Sequence, residues 1–158
     1  MHLISMWRFA RVFLKALMMT VAFVVGLLVI MQVIPYGRAH ENPPVIQEPT
    51  WDSPRTRELA VRACFDCHSN QTTWPWYSNL APLSWVVQHD VDVGRSVLNF
   101  SEWTRDYELV NASGPSVISR EMPPRKYRWL HESSNLTHDE KVELARGLNA
   151  TFGQPSQD

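Results

Sequence analysis

The longest apolar run of the chain, A-L-M-M-T-V-A-F-V-V-G-L-L-V-I-M-Q-V-I from Ala16 to Ile34, holds no charge and one amide, Gln32. A bilayer core of about 30 Å takes about 20 helical residues, so the pattern predicts a single membrane-spanning helix, assigned to 12–34. Arg8, Arg11 and Lys15 precede the run and only Arg38 follows it closely. That excess of positive charge keeps residues 1–11 in the cytoplasm and sends the remainder across. A cleaved signal peptide would deliver the same domain, and Gly37 and Ala39 offer a small-x-small pattern. Signal-peptide apolar regions run only about 7–15 residues, so a retained anchor is the expectation.

Beyond the run the pattern breaks. P-Y-G-R-A-H-E-N-P-P-V-I-Q-E-P-T (35–50) holds four prolines, which remove backbone donors and fix φ, and it is expected to be an extended tether. A domain then begins near Trp51. D-S-P-R-T-R-E-L-A-V-R-A-C predicts a helix with Ser53 as N-cap and Pro54 at the first helical position. P-L-S-W-V-V-Q-H-D-V predicts a second, with Pro82 in its first turn and fraying by Gly94. T-H-D-E opens a third with a capping box, Thr137 as cap and Glu140 three residues on. That helix runs to about Gly153, with Val142, Ala145, Asn149 and Phe152 on one side. Alternating β-branched runs are scarce, so a small, mainly α domain with long ordered loops is expected over 51–153, followed by a short tail, 154–158.

Length and charge narrow the class. The chain has 158 residues, room for one modest domain. Residues 1–38 hold four basic and no acidic side chains; the rest holds eleven basic and sixteen acidic ones. The part beyond the membrane is therefore mildly acidic, which excludes a basic nucleic-acid-binding surface.

The two cysteines stand together in C-F-D-C-H, residues 64–68. On a helical turn positions 64, 67 and 68 share one side, and this is the attachment pattern of a c-type haem. Cys64 and Cys67 would form thioethers with the haem, and His68 would be the proximal iron ligand. A thioredoxin-type dithiol needs a β-α-β setting that the pattern lacks. Zinc needs about four ligands, and no second cysteine pair exists. A plain disulfide would explain neither the histidine nor the thin core between the helices. For the distal ligand, Met122 is the one methionine beyond the membrane segment, on the proline-stiffened stretch S-R-E-M-P-P-R-K-Y. His89, His131 and His138 compete with it. Trp74, Trp76, Tyr77, Trp85, Trp103, Tyr127 and Trp129 are expected to wall the cofactor and form core. Arg95, Arg125 and Arg128 are candidate propionate partners.

The blocks C-F-D-C-H-S-N-Q-T-T-W-P-W-Y-S-N-L-A-P-L-S-W, H-D-V-D-V-G-R-S-V-L-N-F-S-E-W and M-P-P-R-K-Y occur in this order. Together they resemble a family of small bacterial haem-binding domain proteins related to cytochrome c, over about residues 51–150. The resemblance implies a periplasmic, usually membrane-anchored, cytochrome c-like helical domain around one covalent haem. It places the attachment cysteines on Cys64 and Cys67, the proximal ligand on His68 and the family's M-P-P methionine on Met122. The function expected is electron transfer at the periplasmic face of the bacterial inner membrane, with redox proteins or membrane complexes as partners. No nucleophile–base pair argues for an enzyme. The alternatives are a haem sensor or peroxidase-like protein with a labile distal ligand, and a haem-bearing structural subunit of a redox complex.

Overall fold

The computed structural model describes residues 2–104 and 106–153; the tail expected at 154–158 lies outside the described residues. The described chain is mainly helical, with one isolated parallel bridge, Gln47 to Glu102, and no strand. Its contacts divide it into two units, one holding the residues up to Ala39 with Trp76–Val87, the other His40–Pro75 with the residues from Gln88 onward.

In the first unit, helix α1 spans His2–Met31. It contains one stretch, Met6–Met31, long and apolar enough to cross a membrane, none of it buried within the protein. The helix thus begins well before residue 12 and ends three residues short of Ile34. The added part holds Arg8 and Arg11, and arginine is a good helix former. Past its end, Gln32 turns its amide onto the Ala81 backbone: Nε2 donates to the Ala81 carbonyl (2.8 Å), and Oε1 accepts from the Ala81 N–H (3.0 Å).

The second unit holds the apolar core. Helix α2 (Pro54–Ala63) starts as its sequence dictates, with the Ser53 hydroxyl accepting from the Thr56 N–H at 3.1 Å and Pro54 in the first turn. The four-residue helix α3 (Phe65–His68) follows at once. Helix α4 (Leu83–Val97) begins in the first unit and continues into the second. Two short helices follow, α5 (Ser113–Ser119) and α6 (Arg125–Leu130), and then α7 (His138–Thr151), whose Thr137–Glu140 capping box is complete. Leu59, Phe65, Phe100, Val117, Leu144 and Leu148 are among the side chains that form the core, with Trp51, Trp103 and Phe152 packed against it. Each fully buried leucine contributes about 1.5–3 kcal/mol.

Three expectations change. α4 does not fray at Gly94 but continues to Val97, because the missing side chain is a requirement of close packing there, as described below. The buried side of α7 is Leu144, Ala145, Gly147 and Leu148, while Val142 and Asn149 are half-buried. The Thr56 side chain fills the space where a Gly147 Cβ would stand, so α2 and α7 meet closely at that glycine. The second half of the 35–50 stretch is extended but bound to the domain. The Ile46 N–H donates to the Ser101 carbonyl (2.9 Å), Trp103 N–H donates to the Gln47 carbonyl (2.9 Å), and Arg57 pairs with Glu48 (2.7 Å). Proline removes donors there, yet the intervening N–H groups still find partners.

Glu140 closes α7 onto α2. Its carboxylate takes the Arg62 guanidinium at 2.6 Å and Arg55 at 3.4 Å. The Arg62 hydrogen bond, with the Thr137 N–H, holds its pKa down from 4.5 to about 2. A carboxylate lowered in the folded state stabilises above its unfolded pKa and loses that effect as pH falls through the folded value. Chemical denaturation of Glu140→Gln against the parent should therefore show a stability gap at pH 7 that narrows below about pH 4.5 and closes near pH 2. Equal denaturation midpoints at pH 7 would contradict the assignment.

Candidate functional site

The motif C-F-D-C-H forms where α2 passes into α3. The Cys67 and His68 N–H groups both donate to the Cys64 carbonyl, at 3.2 and 2.9 Å. One turn therefore gathers Cys64, Cys67 and His68, and all three line a cavity of about 270 Å³. Val93, Val97, Leu98, Phe100 and Leu148 supply much of its apolar wall. Met122 and His89 line the same cavity; His131 and His138 do not. Among the competing histidines, His131 instead stacks on Tyr127 with ring centroids 4.0 Å apart, and His138 lies exposed at the start of α7.

The chemistry of the three motif residues is set by their surroundings. Both thiols are free. Burial pushes each up to about 12, aided by the neighbouring Cys67 for Cys64 and by Asp90 and Asp66 for Cys67. Thiols of this kind stay protonated and are poor dithiol redox catalysts, whose attacking cysteine needs a lowered pKa. His68 Nδ1 lies 3.0 Å from the Leu98 carbonyl oxygen. A carbonyl only accepts, so Nδ1 must carry the proton, and the Nε2 lone pair of the neutral ring is left for a ligand. Burial lowers the His68 pKa, against opposing hydrogen bonds to the Leu98 and Gly94 backbone, and so favours that neutral form. A metal-binding histidine is oriented in this way by its second nitrogen.

α4 presses against the motif through Gly94. A Cβ at that position would collide with the Cys67 carbonyl oxygen. Three residues past the end of α4, the Phe100 N–H donates to the His68 carbonyl at 2.8 Å. Ser69 and Asn70, directly after the histidine, are buried; the Ser69 hydroxyl donates to the Phe65 carbonyl (2.8 Å), and Asn70 joins Asn99, Ser101 and Glu102 in a polar network. The Asn99 amide donates to Asn70 Oδ1 (2.9 Å), the Asn70 N–H to Ser101 Oγ (2.9 Å), and Asn70 Nδ2 to Glu102 Oε1 (3.0 Å). Asn70 of the H-S-N block and Asn99, Ser101 and Glu102 of L-N-F-S-E thus satisfy one another, as buried polar groups must.

The M-P-P stretch is anchored separately. The Met122 N–H donates to the Ser116 carbonyl (3.1 Å), and the Arg128 guanidinium donates to the Arg120 carbonyl (3.2 Å) and to the Pro123 carbonyl. Tyr127, on α6, donates its hydroxyl to Asp66 Oδ2 at 2.5 Å, and Asp66 Oδ1 accepts the Thr73 N–H at 2.8 Å. Asp66, one of the two residues between the cysteines, is thereby tied to α6, the helix that follows the M-P-P stretch. Sequence reading missed Asp66 in this role, although its position inside the motif and the tyrosine of M-P-P-R-K-Y were the available signal.

Two groups of expected residues are elsewhere. None of the seven tryptophans lines the cavity. Trp51 packs at a tilt on Phe65 and Phe100, Trp103 stacks on Phe152 with centroids 5.0 Å apart, Trp74 stacks on His40 at 4.7 Å, and Trp76 and Trp129 are exposed. Of the other aromatic residues, Phe100 and Tyr127 do line it. Arg95, Arg125 and Arg128 also lie off the cavity wall. Arg95 instead donates to the Ser69 carbonyl (2.9 Å), the Glu41 carbonyl, Asn42 Oδ1 and Thr72 Oγ1 (each 3.1 Å), while Arg125 lies over Trp129 (4.7 Å).

The residues present suit a haem. Two protonated thiols, an imidazole with its Nε2 lone pair available and a thioether all face one apolar cavity, and a buried apolar wall is what a porphyrin face requires. Among the described residues no three His, Cys, Asp or Glu side chains converge to hold a metal ion directly, so a zinc site has no donor set. Comparisons with curated proteins and with solved structures give no significant match. A model described as a haem-binding domain matches residues 26–150, most of the chain, and the protein belongs to that haem-binding domain family.

Proposed function

We propose that the protein is a membrane-anchored monohaem c-type cytochrome that transfers electrons in the bacterial periplasm. The observation that carries the reading is the His68 Nδ1–Leu98 carbonyl bond, which leaves Nε2 available beside two free thiols on one cavity. In this reading Cys64 and Cys67 Sγ would hold the haem through two thioethers. His68 Nε2 and the Met122 thioether, both on the cavity wall, would hold the iron. The bound iron supplies a one-electron Fe(II)/Fe(III) couple, and His/Met ligation raises its potential.

The remaining residues position and insulate. The Leu98 carbonyl fixes the His68 tautomer, Gly94 lets α4 close on the motif, and Asp66 and Tyr127 tie α6, the helix after the M-P-P stretch, to the attachment turn. Val93, Val97, Phe100 and Leu148 would give the cofactor apolar neighbours, which lower the dielectric around it. α1 can hold the domain at the membrane, with the Arg8, Arg11 and Lys15 end in the cytoplasm. That restriction raises the effective concentration of the domain near membrane redox partners.

A second reading is a sensor or peroxidase-like protein whose distal ligand leaves the iron. It is favoured by the partial exposure of the Met122 side chain (40 %) and by the presence of His89 on the same cavity. The absorption spectrum of the purified ferric protein separates the two. Electron transfer predicts a low-spin spectrum with the far-red band of methionine ligation, and the alternative predicts a high-spin one.

Replacing both motif cysteines, Cys64→Ala with Cys67→Ala, should remove haem from the polypeptide after denaturing electrophoresis and lower its stability, because the ligand stabilises the folded state it binds. A haem-stained band at the mass of the double variant would defeat the attachment claim. Met122→His should keep six-coordination and lower the midpoint potential measured by redox titration. An unchanged potential would remove Met122 from the iron and turn attention to His89.

A further inference from the structure

The segment Trp76–Val87 joins α1 in the first unit, and its surface is unlike that of a soluble domain. W-Y-S-N-L-A-P-L-S-W-V-V contains no charged side chain. Trp76 is 75 % exposed, Leu80 47 %, Leu83 49 % and Val86 46 %. Leu83 and Val86 stand three apart on the first turn of α4 and so share a face. Exposed apolar patches without intervening charge mark interaction sites rather than plain solvated surface.

The position of Gln32 indicates what covers this patch. From Lys15 to Gln32 the chain crosses about 25 Å of helix at 1.5 Å per residue, close to the roughly 30 Å thickness of a bilayer core. With Lys15 extended toward one interface, Gln32 emerges at the other. There its amide holds the Ala81 backbone by a donor and an acceptor bond, 2.8 and 3.0 Å. The Arg38 guanidinium closes the same exit turn on the Gln32 and Ile34 carbonyls. The uncharged segment is therefore fixed at the level where apolar helix gives way to headgroups, the level that exposed tryptophan favours.

We propose that Trp76–Val87 is a membrane-interface element: Trp76, Leu80, Leu83 and Val86 insert into the headgroup–acyl boundary of the bilayer that α1 crosses, and Gln32 locks the element to the exit of α1. The proposal rests on the reading of α1 as a membrane helix. The occupant is phospholipid, since Gln32 bonds the patch at Ala81 to the exit of α1, where the next two residues, Val33 and Ile34, are also apolar and exposed (80 and 50 %).

Spin labelling of the full-length haem protein in vesicles of phosphatidylcholine and phosphatidylglycerol tests it. Labels are placed at Leu80→Cys and Leu83→Cys, at Leu27→Cys within α1 and at the exposed Arg146→Cys on α7. Power saturation, with the haem reduced, compares collision with oxygen, which concentrates in lipid, and with a water-soluble nickel chelate. Labels at 80 and 83 should favour oxygen several-fold more than the label at 146, and less than the label at 27. Adding Gln32→Ala should move the 80 and 83 labels toward the value at 146. Nickel access at 80 and 83 equal to that at 146, while the label at 27 stays in lipid, would overturn the interface element and leave the anchor intact. Nickel access at 27 as well would overturn the anchor and the element together.

Discussion

The hydrogen bond from His68 Nδ1 to the Leu98 carbonyl is the contact on which the site depends. As a neutral hydrogen bond its net worth is only about 1 kcal/mol. Its larger effect is on which nitrogen keeps the proton, because it commits the ring to the tautomer that can bind a metal through Nε2. It also joins the C-terminal end of α4 to the turn that presents both thiols. The Phe100–His68 bond and the close approach of Gly94 to Cys67 repeat that junction. Two hydrogen bonds on His68 and one close approach at the neighbouring Cys67 therefore hold the histidine, and a ligand held this way has little orientational freedom to lose on binding.

Around that junction the domain is divided between a frame and a site. α2 and α7 form the frame, closed by the Glu140–Arg62 pair and the contact of Gly147 with Thr56. Several core side chains, Phe100, Val117 and Leu148 among them, face the cavity as well as one another. The same residues thus serve packing and cofactor wall, which is why a haem would add to the stability of the fold as well as occupy it. The polar network of Asn70, Asn99, Ser101 and Glu102 follows the motif and gives the Asn70 and Ser101 N–H groups side-chain partners where no regular helix or sheet does.

Local signals made much of this legible. Ser53 with Pro54, and Thr137 with Glu140, act through bonds within four residues, and each helix starts where the sequence indicates. The spacing of Cys64, Cys67 and His68 is likewise local geometry. Features decided by distant chain were not legible. Gly94 reads as a helix breaker until Cys67 is found against it. The tryptophans read as haem wall, yet most lie on core or outer surface, and hydrophobicity alone cannot choose between those faces. The prolines of 35–50 suggest a loose tether, but partners at Ser101, Trp103 and Arg57, some fifty residues away for the first two, bind its second half. The Asp66–Tyr127 bond crosses 61 residues of sequence.

Intact-mass spectrometry of the full-length protein, produced with export and haem-attachment machinery, tests the central claim most directly. The account predicts the polypeptide plus one complete haem, retained after denaturation and mapped by digestion to the peptide holding Cys64 and Cys67. A polypeptide of unmodified mass, with both thiols free or joined as a disulfide, would contradict it.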